Sequence, residues 1–241
     1  MKYYLFGNWK CNPTNTQEAK KLFSDTAKGV KKSEKVETAV FPPFCYLAEF
    51  AGKKKEVAVG AQNCCFKESG AFTGEVSPKQ IADLGCKYVL VGHSERRKLF
   101  AETDGAVNEK TKLALALGLI PVVCVGETDE ERTAERAIEV VKSQLGIGLK
   151  DIDVKKAFVA YEPVWAIGTG KACGIAEARE MARVIREVLG PDTPILYGGS
   201  ANAKNGAVYL KEAGYNGLLV GGASLKADEF AKMFQEIEGL E

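Results

Sequence analysis

The chain carries one histidine, His93, and that scarcity excludes more chemistry than any other feature. Metal centres built on two or three imidazoles, on which many barrel hydrolases and epimerases depend, cannot be assembled from a single ring. An excess of charge is missing too. Lys and Arg number 33 against 32 Asp and Glu, so nothing basic tracks nucleic-acid phosphates and no acidic run suggests a disordered tail. No apolar run approaches the length of a membrane span. The stretch Met1-Lys2-Tyr3-Tyr4-Leu5-Phe6-Gly7-Asn8 enters a strand-like run without a signal peptide's apolar core and cleavage site, so the expected address is cytoplasmic. The seven cysteines form no C-x-x-C pair, and Cys64 and Cys65 are adjacent, which suits neither a disulfide framework nor a zinc knuckle. They read as small buried apolar groups in a reducing compartment. No cofactor, metal, membrane or nucleic-acid partner is expected.

What the sequence has is alternation. Short, often β-branched apolar runs occur at Tyr3–Gly7, Thr38–Phe41, Val57–Ala61, Tyr88–Val91, Ile120–Val125, Ala157–Tyr161, Ile195–Tyr197 and Gly217–Val220. Each reads as a strand buried on both faces, which implies parallel pairing. Amphipathic segments lie between them. One helix is expected from Asp129 to Leu145, with acids in its first turn. Another is expected from Ala176 to Leu189, stopped by Gly190-Pro191, and a last one from Ser224 to Ile237. No Pro/Gly/Ser-rich linker divides the chain, so residues 1–241 read as one α/β domain. About eight strand–helix units are enough to close a (β/α)₈ barrel. A doubly wound open sheet would alternate in the same way. The barrel is preferred because the residues suited to chemistry fall at the C-terminal ends of the first, fourth, sixth, seventh and eighth runs, and a barrel gathers all strand ends on one face.

Those residues begin with Gly7-Asn8-Trp9-Lys10. Taken alone, Lys10 reads equally well as a solvated surface charge or as a cation aimed into the barrel mouth, where with Asn8 it would attract an anion and steady an oxyanion. His93 follows Gly92 at a strand end and precedes a polar stretch able to open a short helix. The positive end of that helix disfavours imidazolium, leaving a ring that polarises a carbonyl through one nitrogen and accepts a backbone hydrogen bond at the other. Ser94 has no buried acid or second histidine in view and is not read as a nucleophile. Glu162 ends the sixth run and is suited to act as a general base, with Pro163 directing the chain after it. The apolar Val164-Trp165-Ala166-Ile167, closing on Gly168-Thr169-Gly170-Lys171, reads as a lid, and Ala172 after Lys171 rules out a nucleotide P-loop. Two glycine turns, Tyr197-Gly198-Gly199-Ser200 and Leu219-Val220-Gly221-Gly222-Ala223-Ser224, suit an anion gripped by main-chain amides.

Together these segments resemble the triosephosphate isomerase family. The matching blocks are 7–10, 70–75, 91–97, 161–171, 197–200 and 219–225, which run from the first strand to the eighth. The resemblance implies interconversion of dihydroxyacetone phosphate and D-glyceraldehyde 3-phosphate through an enediolate, without cofactor or metal. By resemblance, Glu162 is the base and His93 the uncharged electrophile, a pairing that belongs to the family and is not read off these residues. Asn8 and Lys10 are implied beside the same oxygens, with Glu95 supporting Lys10. Main-chain groups of Gly168, Ser200, Gly221 and Gly222 are implied for the phosphate, and Ile167 and Leu219 as an apolar clamp. The 70–75 block implies a homodimer in which Thr73 reaches the neighbouring subunit's site. Cys11, Cys64 or Cys65 are then expected near that interface, where alkylation would dissociate the enzyme.

The chain departs from the family pattern in two places. Ala101 stands where the family usually has Gly, and it would be strained if the backbone there takes a positive φ. Ala172-Cys173-Gly174 lacks the usual proline after the lid. Two alternatives are a catalytically silent phosphate-binding barrel and another sugar-phosphate barrel enzyme. The second is disfavoured because an epimerase needs several histidines, and an indole-glycerol-phosphate synthase a different Lys and Glu arrangement.

Overall fold

The computed structural model describes residues 2–54, 56–167 and 173–240. Eight parallel strands close into a barrel in chain order: β1 (Tyr3–Asn8), β2 (Val36–Phe41), β3 (Ala58–Ala61), β4 (Tyr88–Val91), β5 (Ile120–Val125), β6 (Phe158–Tyr161), β7 (Ile195–Tyr197) and β8 (Gly217–Val220). Closure is made by β1 against β8, from Tyr4 opposite Gly217 to Gly7 opposite Val220. The outer ring comprises α1 (Thr16–Gly29), α2 (Leu47–Phe50), α3 (Pro78–Asp83), α4 (Ser94–Phe100), α5 (Asp104–Ala116), α6 (Asp129–Thr133), α7 (Ala137–Gly148), α8 (Ile175–Leu189), α9 (Gly206–Ala213) and α10 (Ala227–Glu238). Among the described residues no helix is long and apolar enough to cross a membrane.

Two apolar layers follow from the period-two alternation of strand side chains. Leu5, Val40, Val89, Val123 and Val159 face outward into the layer beneath the helices. Phe6, Phe41, Tyr88, Leu90, Cys124, Phe158, Ala160 and Leu219 fill the barrel itself. Phe6 sits at the centre of that filling, its ring centroid 5.8 Å from Phe41, 4.7 Å from Tyr88 and 5.6 Å from Phe158. The interior is therefore packed solid, and a ligand can enter only at the rim. At the N-terminal end of the strands Glu37 accepts hydrogen bonds from Lys2, Lys87 and the Tyr88 hydroxyl. Burial pushes its carboxyl up, but those donors outweigh it and bring it down to about 2. The rim at the opposite end carries the chemistry.

Two of the expected helices are interrupted. The segment expected to run from Asp129 to Leu145 breaks between α6 and α7, where Glu135 takes a φ of +58°. α6 has a complete capping box between Thr128 and Glu131 yet buries no residue, whereas α7 buries Val140, Val141 and Leu145. With no core contact to hold α6 in line, α7 follows the barrel wall by itself. The last expected helix, from Ser224, is instead a 3₁₀ turn, Gly222–Leu225, followed after Lys226 by α10. Ser224 anchors that turn, its hydroxyl donating to the Gly221 carbonyl at 2.6 Å and the Asn8 carbonyl at 3.4 Å.

The cysteine expectation narrows. Cys64 and Cys65 are buried within the chain itself, and burial pushes the Cys64 thiol up to about 12, which removes it as a reactive group. Only Cys11 of the three expected thiols is exposed.

Ala101 ends α4 in the left-handed region, at φ 53° and ψ 34°, with its N–H donating to the Arg96 carbonyl. That C-terminal cap normally falls to glycine, because a Cβ clashes with the following carbonyl. Ala101→Gly is expected to stabilise the protein by about 0.5–1 kcal/mol, the relief of strain exceeding the added freedom of the unfolded chain. A thermal melt checks this: a midpoint raised by roughly 1–4 °C agrees, and a lowered one removes the strain argument.

Candidate active site

The inward-facing series of each strand continues past its end into the rim. On β1 the residues Tyr4 and Phe6 lead to Asn8, and on β6 Phe158 and Ala160 lead to Glu162. The same count puts Gly126, Gly198 and Gly221 at the corresponding positions after β5, β7 and β8. These glycines make room. A Cβ on Gly126 would lie 1.7 Å from the Glu162 carbonyl oxygen, and one on Gly198 would lie 3.0 Å from the Glu162 Cγ. Glu162 thereby occupies space that its two neighbouring strands leave empty.

Glu162 is 2% exposed, and both carboxylate oxygens are engaged. Oε2 accepts from the Ser94 main-chain N–H at 2.7 Å, and Oε1 lies 3.0 Å from His93 Nε2. His93 is the N-cap of α4, its Nδ1 accepting from the Glu95 N–H at 3.2 Å. A nitrogen that accepts carries no proton, so Nε2 holds the imidazole hydrogen and donates it to Glu162. The expected helix opening and the expected backbone bond to the ring are both present. Ser94 requires a correction: a buried acid does stand beside it, because β4 and β6 end at the same rim. The bond to that acid comes from the Ser94 main chain, which makes Ser94 an anchor for Glu162. Beneath them lies Cys124, whose thiol is pushed up by burial and further by the Glu162 charge, leaving it an uncharged filler.

Lys10 reaches the same place from β1. Its backbone has a φ of +53°, its N–H donates to Asn8 Oδ1 at 3.0 Å, and its Nζ lies 2.5 Å from Glu95 Oε1. Glu95, expected near Lys10, is in contact with it, and its side chain is 44% exposed. A cavity of about 390 Å³ joins these groups, lined by Asn8, Lys10, His93, Glu162, Ile167, Ser200, Leu219, Gly221 and Gly222. Every expected site residue among the described ones therefore meets in one cavity, save Glu95, which stands behind Lys10, and Thr73. Thr73 lies on a loop, residues 66–75, that is exposed throughout except at Phe72. Gly168 and the rest of 168–172 lie outside the described residues, so of the expected lid only Val164–Ile167 is seen.

At the far side of the cavity the turn Gly222–Leu225 presents the first N–H groups of a helical turn, which have no partner within the turn. A Cβ on Gly222 would meet nothing within 4 Å, so packing does not require glycine there, while a side chain would intrude on the opening. Main-chain amides presented in this way are suited to an anion.

Residues after β3 and β5 escaped the sequence reading. Glu127 is fully buried and accepts from Tyr161 Oη at 3.0 Å, Trp165 Nε1 at 2.8 Å and an Arg132 nitrogen at 3.1 Å. It ties the segment after Glu162 to the chain leaving β5, and its signal was a charged residue directly after the glycine that follows a strand. Gln62, after β3, hydrogen-bonds Lys10 and continues the inward series Ala58, Gly60. Asn12, Gly199, Asn202 and Leu225 also line the cavity.

The family model described as triosephosphate isomerase matches residues 3–237. A triosephosphate isomerase of Natranaerobius thermophilus is 40% identical over 242 residues, covering 96% of this chain and 94% of that protein. One of Mesomycoplasma hyorhinis is 44% identical over 237 residues, covering 96% and 97%.

Proposed function

The chain belongs to the triosephosphate isomerase family, and from that membership we infer that it interconverts dihydroxyacetone phosphate and D-glyceraldehyde 3-phosphate. It is an intramolecular aldose–ketose isomerase. The roles assigned to its residues here are those the family resemblance implies, and the cavity's geometry supports them. The phosphate sits against the main-chain amides of Ser200, Gly221 and Gly222, with Gly168 added by family resemblance. That placement directs the triose toward Glu162 and His93. The Glu162 carboxylate takes the proton from the carbon beside the carbonyl. The released electron pair forms the carbon–carbon double bond, and the carbonyl oxygen becomes an oxyanion. His93 Nε2–H and the Lys10 ammonium stabilise that charge, with Asn8 beside them. The hydroxyl proton on the adjacent carbon passes to that oxyanion by way of His93, that hydroxyl's oxygen becomes the new carbonyl as Glu162 returns its proton to the neighbouring carbon, and no atom is gained or lost. Ile167 and Leu219 keep water from the enediolate, which strengthens each of these interactions.

The observation that carries this reading is the 3.0 Å approach of His93 Nε2 to a Glu162 carboxylate that is 2% exposed, at the edge of an anion cradle. A base held in a dry site, beside a donor for the oxygen whose charge develops, matches proton transfer next to a carbonyl. Glu162→Ala is expected to lower kcat by about 10²–10⁴ with far less change in KM. A coupled assay with both triose phosphates tests this, and a variant retaining near-full rate would remove Glu162 as the base.

The homodimer is part of the same proposal. Leu99 and Phe100 are 68% and 66% exposed, and the 66–75 loop projects with Phe66 packed edge-on to Phe72. Exposed apolar side chains of that size, together with an exposed loop, suit a twofold contact that brings Thr73 to the other subunit's Lys10. Sedimentation at micromolar concentration should report twice the 26.0 kDa chain mass, and a monomer with full activity would end the idea. The seven thiols, none of them paired, support a reducing, cytoplasmic compartment, an address that cell fractionation can overturn.

A further inference from the structure

Two lysine-rich segments meet at the end of the barrel opposite the rim, and we infer that they form a binding site for a short chain of linked phosphates. Lys28, Lys31 and Lys32 stand where the chain leaves α1 for β2, and Lys54 where it enters β3. β2 and β3 are neighbours in the sheet, with Ala39 opposite Ala58, so segments distant in sequence come together. The four lysines are exposed and line one cavity of about 390 Å³, in which Glu56 is the one acid. Small-molecule pockets span roughly 300–1,000 Å³, so the space suits a ligand of that kind.

Charge there is far from balanced. Four lysines against Glu56 leave +3, whereas the whole chain carries +1. Ordinary structural duty accounts for one of them. Lys28 lies in the last turn of α1, 3.5 Å from Asp25, and a helix C-terminus carries about −0.5 elementary charge, which one ammonium offsets. Among the described residues Lys31, Lys32 and Lys54 form no ion pair with a carboxylate. Three such ammoniums around one concavity raise a local potential that draws in multiply charged anions.

The lining selects among those anions. It has no aromatic ring to stack on a base and no guanidinium to fork onto one, so a nucleic acid finds nothing to hold beyond its phosphates. Its apolar members, Ala27 and Val30, are buried, which leaves no greasy surface to enter a membrane. Lysine meets phosphate as a point charge on a flexible stem, and three of them can follow charge spread along a chain. Linked phosphates have that distribution, as an inorganic polyphosphate or as the tail of a nucleoside triphosphate. The packed barrel interior separates this site from His93 and Glu162, so it fills independently of the rim.

Calorimetric titration with inorganic tripolyphosphate tests this. It is run on the wild-type chain and on Lys31→Gln/Lys32→Gln/Lys54→Gln, with and without 2-phosphoglycolate to occupy the rim. The wild type is expected to show a binding component that 2-phosphoglycolate does not displace. That component should weaken about tenfold between about 50 and 200 mM salt, and by at least about tenfold in the triple variant. Pyrophosphate should bind more weakly than tripolyphosphate, because it reaches fewer ammoniums. ATP matching tripolyphosphate would assign the site to nucleotide tails, and ATP binding far more weakly would assign it to inorganic chains; either result supports the site. The thermal midpoint and kcat of the variant should equal those of the wild type, and should they fall, Lys31→Gln/Lys32→Gln provides the same comparison. The inference is overturned if no such component appears, if 2-phosphoglycolate displaces all binding, or if the substituted chain binds tripolyphosphate as tightly as the wild type. Tighter binding of hexaglutamate or of a single-stranded oligonucleotide than of tripolyphosphate would overturn it too.

Discussion

One buried carboxylate organises the rim of this barrel. Glu162 is almost sealed from water, and an ionised group in that position needs donors that do not move. Both come from the chain leaving β4, one from the Ser94 main chain and one from the ring of His93. Because donors and acceptor stand on different strands, their distance is set by the closed sheet. The glycines on either side of β6 follow from the same constraint, since any side chain at Gly126 would collide with the Glu162 main chain. α4 serves it too: it begins where it does because His93 caps it, and that cap decides which ring nitrogen bears the hydrogen.

Backbone strain is distributed unevenly, and the contrast is informative. Lys10 and Ala101 share a φ of 53°. At Lys10 the conformation turns the chain at the end of β1 so that the ammonium meets Glu95 at the cavity, with polar side chains fastening the peptide on both sides. At Ala101 it merely ends a helix, a task glycine performs without strain. The first is a functional arrangement held by its neighbours. The second is a small defect that the rest of the fold tolerates.

Much of this was legible in the sequence because a parallel strand buried on both faces writes itself as a short apolar run. Tyr88–Val91, Ile120–Val125, Ile195–Tyr197 and Gly217–Val220 begin and end where the runs do. Asn8 and Glu162 were visible as polar residues placed directly after such runs, and His93 as one placed a single glycine beyond. Other features were hidden for physical reasons. The break at Glu135 has no proline or glycine to mark it and falls where α6, which buries none of its own residues, gives way to α7. Gln62 follows the short run of β3, and its partners are main-chain carbonyls of residues 10 and 41, which no local pattern encodes. The network around Glu127 likewise depends on Trp165 and Arg132 arriving from separate segments.

The account stands on the pairing of one imidazole nitrogen with one carboxylate. Because His93 is the chain's sole histidine, a long-range ¹H–¹⁵N correlation spectrum of the uniformly labelled protein reports on it without assignment. At pH 8 the spectrum should show Nε2 bearing the proton and Nδ1 bare, with the Nε2 signal shifting when a phosphorylated enediolate mimic is added. A proton on Nδ1, or a ring indifferent to the mimic, would contradict the arrangement of Glu162 and His93 described above.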